Sequence, residues 1–366
     1  MSGTSFAPPG PPPATLGPKT VPGTYSERVV AVAAPFLGLL AVVLLFYAIP
    51  PHPRVSLLDL QTVSVHMVIV GVAALGMTFV IISGGIDLSV GSAIALASVA
   101  AALTLAGGWR FAFLDALGLH SLNPAGLLNF LGQSTPICAA VAAALLTGAL
   151  CGLYNALLIT LLRLPPFIAT LGTLGFYRGL AKWLSNSMPV SAPTHGLENW
   201  VRPVPLQTWL PFAPGVWLML ALGIFLAAVL RYTILGRYTF AIGSNEATAR
   251  LCGIRVPRMK LYIYMLAGLL TGLAGLMQFA RLTQGDPTVA IGLELDVIAA
   301  VVIGGGSLAG GQGSLVGTLA GAFLMAYLRN RCTVLGWSNF VQEMIVGHII
   351  IVAVAIDQWR VRRAER

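Results

Sequence analysis

"ICAAVAAALLTGALCGLYNALLITLL", residues 137–162, carries no charged side chain over 26 positions. As a helix it would extend ~39 Å at about 1.5 Å per residue, enough to cross a hydrocarbon core of roughly 30 Å. Such a helix satisfies its own backbone hydrogen bonds in lipid. Comparable apolar runs occupy 29–49 and 261–280. The 366 residues are 57% hydrophobic and 9% charged, with a mean hydropathy of +0.86. Soluble domains are about a quarter charged, so a water-soluble globular protein is excluded.

Further spans are expected at about 63–82, 88–106, 167–184, 215–230, 292–305, 313–330 and 340–357. The fold class is therefore an all-α polytopic bundle of about ten membrane helices. Residues 29–357 form one membrane domain. Residues 1–28 are a Pro- and Gly-rich tract that cannot bury apolar surface and reads as a disordered tail, and 358–366 form a basic C-terminus. An even number of spans puts both ends on one side. Of 21 Lys and Arg, 13 fall on that side and eight on the other, which makes it the cytoplasmic side. The net charge of +9 thus reflects topology and not a nucleic-acid partner. Cys138 and Cys151 would lie ~20 Å apart on one helix, beyond disulfide reach, and all four cysteines read as packing residues.

Four motifs interrupt the apolar pattern. The first, "GSNEATARLCGIRVPRMK" at 243–260, carries a compact cluster of charge on the cytoplasmic side. Ser244 or Asn245 can cap a helix, Glu246 suits its positive first turn, and Gly253 can end it in a left-handed conformation. That spacing predicts about eight helical residues with Glu246 paired to Arg250. A helix this short is marginal alone, so Ala247, Leu251 and Ile254 need something to pack against: lipid headgroups or a protein partner.

The second motif, "GMTFVIISGGIDLSVGS" at 76–92, places Gly84, Gly85, Asp87, Ser89 and Ser92 inside a long apolar stretch. Glycines permit a helix break where the freed polar groups stay buried, and an ionisable residue beside one is a functional candidate. The bland account makes Asp87 a cap at a cytoplasmic turn. The third, "VVIGGGSLAGGQGSLVGTLAGAF" at 301–323, resembles the second in its order of apolar run, Gly pair and serine. It has no lysine, so it is not a nucleotide-binding loop. Gly304, Gly305, Gly306, Gly310 and Gly311 mark either a second helix break in a weak internal repeat or tight helix packing. The fourth, "LPPFIATLGTLGFYRGLAKWLSNS" at 164–187, puts Thr170, Thr173 and Tyr177 on one helical stripe after a Pro-Pro stop. Neutral hydroxyls on one face suit a path for a polyhydroxylated solute or simple interhelical hydrogen bonds. Asn155, Glu294, Asp296, Glu343 and His348 complete the polar inventory, with the two acids near 295 read as solvated span ends.

Together, "GMTFVIISGGIDLSVGS", "LPPFIATLGTLGFYRGLA", "GRYTFAIGSNEATARLCGIRV" and "VVIGGGSLAGGQGS" resemble the permease subunits of bacterial ATP-binding-cassette importers for monosaccharides, over about residues 30–357. The resemblance implies a dimerising inner-membrane subunit, homo- or heterodimeric, that receives sugar from a periplasmic binding protein. It implies a separate cytoplasmic ATPase that binds ATP and Mg, and no cofactor or covalent chemistry in this chain. The loop at about 236–260 is similar to the family's coupling loop, so Glu246, Ala247, Arg250, Leu251, Gly253, Ile254 and Arg255 would meet the ATPase. Asp87, Ser89, Ser92, Asn155, Thr170, Thr173 and Tyr177 are the expected translocation-path residues. Permeases for branched-chain amino acids or nucleosides, and a transporter driven by an ion gradient through Asp87, Glu343 and His348, are the alternatives.

Overall fold

The computed structural model describes residues 56–107, 137–206 and 209–364, together with Leu40 and Leu44. The tail 1–28, the expected span 29–49 apart from those two leucines, and 108–136 lie outside the described residues.

Among the described residues there are eleven α-helices: α1 Leu57–Ile82, α2 Val90–Leu105, α3 Ile137–Thr160, α4 Pro166–Leu184, α5 Pro214–Tyr232, α6 Ile234–Ser244, α7 Glu246–Leu251, α8 Val256–Leu282, α9 Leu293–Ile303, α10 Leu315–Val334 and α11 Asn339–Ala364. Nine of them fall on the expected spans, and α6 and α7 make the connection between α5 and α8. The bundle is the polytopic all-α membrane architecture read from the sequence. One addition is a small clasp: β1 (Val190–Ser191) pairs antiparallel with β2 (Gln284–Gly285). A 3-10 turn, Leu197–Trp200, follows β1 in the loop before α5. The last helix runs on to Ala364, past the expected span end at 357.

Local chemistry explains where the helices start. Ser56 and Asp59 form a reciprocal capping box on α1, with Asp59 N–H donating to Ser56 Oγ at 3.1 Å and Ser56 N–H donating to Asp59 Oδ2 at 2.9 Å. Pro166 and Pro214 open α4 and α5, where a missing N–H costs nothing. Ser314 Oγ accepts from Gly317 N–H at the start of α10.

The central helix is α1, buried along nearly its whole length and packed against α5, α8, α9 and α10. On its far side α8 meets α3 backbone to backbone. A Cβ on Gly148 would lie 2.6 Å from Gly272 Cα, and one on Gly268 would lie 2.8 Å from Gly152 Cα. Both helices thus carry Gly-x-x-x-Gly at their crossing, the small-residue contact that lets membrane helices approach closely.

α1, α3, α5 and α8 are long and apolar enough to span a membrane by length and composition. With 16 and 11 residues, α2 and α9 reach only ~24 and ~16 Å, short of a roughly 30 Å core. These are the interrupted helices that the glycine motifs announced. The bundle has two ends: one carries α7 and both glycine breaks, and the other carries the β clasp, the first turn of α1 and the last turns of α8 and α10.

Candidate functional site

Both breaks converge on one backbone junction. After α1, Gly84 takes φ +79°, and after α9, Gly305, Gly310 and Gly311 take φ +92°, +83° and +74°, a region that side chains disfavour. Gly311 N–H donates to the Ile82 carbonyl at 2.8 Å. A Cβ on Gly310 would lie 3.0 Å from Gly84 Cα and 2.7 Å from the Gly243 carbonyl, and one on Gly311 would lie 3.0 Å from Ser244 Cα. Gly304 packs against Gly317 and Thr318, Gly306 against Val301, and Gly85 against the Tyr264 ring edge. The seven glycines therefore serve both readings: four take left-handed turns and three allow close packing. Just inside the junction, the hydroxyls of Thr78 and Thr318 hydrogen bond at 2.8 Å and tie α1 to α10.

Gly243 and Ser244 close α6, and α7 begins two residues later. Asn245 is its cap, accepting from Thr248 N–H at 2.9 Å. Gly253 takes φ +83°, and Gly253 N–H and Ile254 N–H donate back to the Arg250 and Ala249 carbonyls at 3.0 Å each. This double closure ends the helix at Leu251, so α7 has six residues and not the expected eight. Glu246 joins Arg250 at 2.5 Å and also Lys260 of α8 at 2.7 Å. Partial burial pushes the Glu246 carboxyl up, but hydrogen bonds and charges from Lys260 and Arg250 outweigh it and hold it below its ordinary value.

The packing of α7 differs from expectation. Ala249 is the residue turned inward, onto Ile242 and Val256, with Ile254 and Met259 alongside. Ala247 is exposed and Leu251 is 89% exposed. Ile254 thus packs on its own chain, while Ala247, Arg250, Leu251 and Arg255 form the outward face. Cys252 and Cys138 are exposed too, which corrects the reading of all four cysteines as packing residues.

The path candidates assemble into one network. Asp87 Oδ1 accepts from Ser89 N–H at 2.8 Å and Ser89 Oγ at 2.6 Å. Asn155 Nδ2 donates to Ser89 Oγ at 2.9 Å and to Asp87 Oδ2 at 3.3 Å. Asn155 Oδ1 accepts from Thr173 Oγ1 at 2.7 Å and Tyr177 at 3.0 Å. Thr170 Oγ1 donates to the Ile86 carbonyl at 3.2 Å, and Ser92 Oγ donates to the Ser89 carbonyl at 2.8 Å. All seven side chains are buried, so in this conformation they join α2, α3 and α4 and face one another. Asp87 does accept a backbone N–H at the turn that opens α2, as the cap account has it, but it is buried and is also held by Asn155 of α3.

Two acidic expectations change. Asp296 is 2% exposed and bidentate with Arg329 of α10, at 2.6 and 3.0 Å, so it is not a solvated span end. Glu294 is half-buried. Glu343 and His348, named with Asp87 in the ion-gradient alternative, are both exposed. Sequence reasoning missed the Asp296–Arg329 pair, whose members lie 33 residues apart, and the convergence of the breaks on Gly243. It also passed over the two Gly-x-x-x-Gly patterns at 148–152 and 268–272, which were there to be read.

Residues 60–354 match the family model described as branched-chain amino acid transport system / permease component. The chain is 39% identical over 307 residues to the ribose import permease protein RbsC of Escherichia coli K12, covering 81% of this chain and 84% of that one. It is 37% identical over 336 residues to RbsC of Bacillus subtilis, with 91% and 95% covered. It is also 32% identical over 296 residues to the L-arabinose transport system permease protein AraH of E. coli, with 81% of each covered. No solved structure matches. With its apolar helices, its two interrupted spans and this coverage, the chain belongs to the membrane permease family that the transport-system model defines and that these ribose and L-arabinose permeases resemble.

Proposed function

We propose that this chain is the membrane subunit of a monosaccharide importer powered by a separate ATPase, with α7 as the element the ATPase grips. The observation that carries the proposal is the outward face of α7. The helix is capped at both ends and tied by Glu246 to Arg250 and Lys260, yet leaves Leu251 89% exposed. A large apolar side chain held rigidly in water gains stability only when another surface covers it.

On this reading the α7 end is cytoplasmic, both chain termini lie on that side, and the β clasp faces the opposite compartment. The excess of Lys and Arg supports that orientation. Glu246, Ala247, Arg250, Leu251, Gly253, Ile254 and Arg255 form or shape the docking knob. Nucleotide-driven movement of the knob acts on Gly243 and from there on both glycine breaks, which biases α2 and α9 between two arrangements. ATP and Mg belong to the partner chain, and a binding protein delivers the solute to a pair of permease subunits. The names of the ribose and L-arabinose relatives support a monosaccharide as that solute. The buried Asp87 network is the place where α2, α3 and α4 part when the path opens.

Co-purification tests the docking. Leu251→Asp is expected to abolish capture of the tagged ATPase while the permease keeps its yield and melting behaviour. Capture of the ATPase at the unaltered level would remove α7 as the coupling element.

A further inference from the structure

At the end of the bundle opposite α7, a cavity of 280 Å³ opens between α1, α8, α9, α10 and α11. Its polar wall is His66, Arg281, Asp296, Arg329, Thr333 and Gln342, with Asn339 at the rim. Resting on the reading above, we propose that this cavity is a binding site for a single neutral monosaccharide on its way into the permease.

The chemistry of the wall fits that ligand. Asp296 and Arg329 hold each other through two hydrogen bonds, which fixes a carboxylate and a guanidinium in one plane at the cavity surface. Each keeps unused hydrogen-bonding capacity, because a carboxylate accepts about four bonds and a guanidinium donates five. Vicinal hydroxyls need this adjacency of a strong acceptor and a strong donor, each hydroxyl being both. Arg281 donates to His66 Nε2 at 3.2 Å, which holds a second guanidinium in the wall with donors to spare. Gln342, 3% exposed, has its amide aimed by the Thr333 hydroxyl and the Trp337 carbonyl, at 3.3 Å each. Ile69 and Met325 supply apolar surface for the carbon face of a ring.

Size narrows the ligand further. Pockets for drug-sized molecules run from about 300 to 1,000 Å³, so 280 Å³ suits one sugar ring and is too small for two. Position gives the site a part in transport. Asp296 sits in the half-helix α9, whose other end is the glycine break that meets Gly243. A ligand bridging Asp296 to α1 and α8 therefore touches the same movable element that the ATPase end acts on.

Protection from chemical labelling tests the site without relying on transport. The full-length chain carrying Cys138→Ser, Cys252→Ser and Thr333→Cys is placed in lipid nanodiscs and reacted with a charged thiosulfonate. D-ribose or L-arabinose is the probe. The expected result is slower modification at position 333, about tenfold at ten times the dissociation constant. A matching Leu251→Cys chain, labelled at the far end, should be unaffected. A second variant, Asn339→Leu at the cavity rim, is expected to lower sugar uptake by the complete importer with ATPase capture unchanged. Unslowed labelling, together with sugar uptake by the importer, overturns the cavity assignment and leaves the importer reading intact. Protection by inorganic phosphate and not by either sugar overturns the choice of ligand. An importer that takes up no monosaccharide removes both proposals.

Discussion

Adding one methyl group at Gly243 probes the junction through which α7 reaches both helix breaks. A Cβ there would press on the Ile82 carbonyl oxygen and lie 2.6 Å from Gly311 N and 2.8 Å from Ile82 C. All three atoms are backbone, so no side chain can swing away. Gly311 N–H already donates to the Ile82 carbonyl at 2.8 Å, and the methyl would enter that bond. Overpacking costs about 1–3 kcal/mol, and a buried polar group left unpaired costs about 1–3 kcal/mol more. Alanine recovers about 1 kcal/mol through its better helix propensity. The net expectation for Gly243→Ala is a destabilisation of about 1–5 kcal/mol, read as a lower unfolding midpoint in nanodiscs. Gly172→Ala is the control. Nothing lies within 4 Å of its Cβ position, so it should be neutral or slightly stabilising. In the complete importer, Gly243→Ala should keep ATPase capture, because the outward face of α7 is untouched, and lose solute-stimulated ATP hydrolysis. An unchanged midpoint with unchanged stimulation would refute the junction.

Other consequences follow from the buried pairs and from α7. Asp87→Asn turns its amide toward the Asn155 amide, leaving a buried donor unpaired at about 1–3 kcal/mol, and the swap Asp87→Asn with Asn155→Asp should restore the unfolding midpoint. Failure of the swap to rescue would argue that Asp87 acts through a proton and not through this network. Breaking the Asp296–Arg329 pair with Asp296→Asn should cost about 3 kcal/mol, the low end for a buried pair since Arg329 is partly exposed, and replacing both partners should cost less than the sum of the single changes. Glu246 is held below its ordinary value, so its stabilisation of α7 is present at neutral pH and lost as pH falls through the folded value. Hydrogen exchange at residues 246–254, corrected for intrinsic rate, should accelerate below about pH 4.5 in the native chain and show no such step in Glu246→Gln. Identical profiles would mean that Glu246 does not hold the knob.

The spans were legible because an uncharged run of about 20 residues has few other uses. The run 137–162 became Ile137–Thr160, whereas 261–280 became Val256–Leu282 because Pro257, Arg258 and Lys260 make a polar first turn that hydropathy alone discards. The caps of α7 were legible as well, since Asn245 and Gly253 have local jobs. Depth was not. A helix such as α1, apolar all round, shows no periodic face from which its neighbours can be inferred. The burial of Asp296 depends on Arg329 in another helix, and a charge near a span end looks solvated until that partner is placed. Two-residue strands carry no alternation to detect, so the β clasp had no signal. For the candidate path residues, the stripe on α4 was readable, but only the fold joined Thr173 and Tyr177 to Asp87 through Asn155.

Solute uptake into sealed vesicles containing the permease with its ATPase and binding protein tests the central claim most directly. The expected result is uptake that stops when ATP is depleted and continues when a protonophore collapses the ion gradient. Uptake that survives ATP depletion and collapses with the protonophore would contradict the account and return Asp87, Glu343 and His348 to consideration as ion-coupling groups.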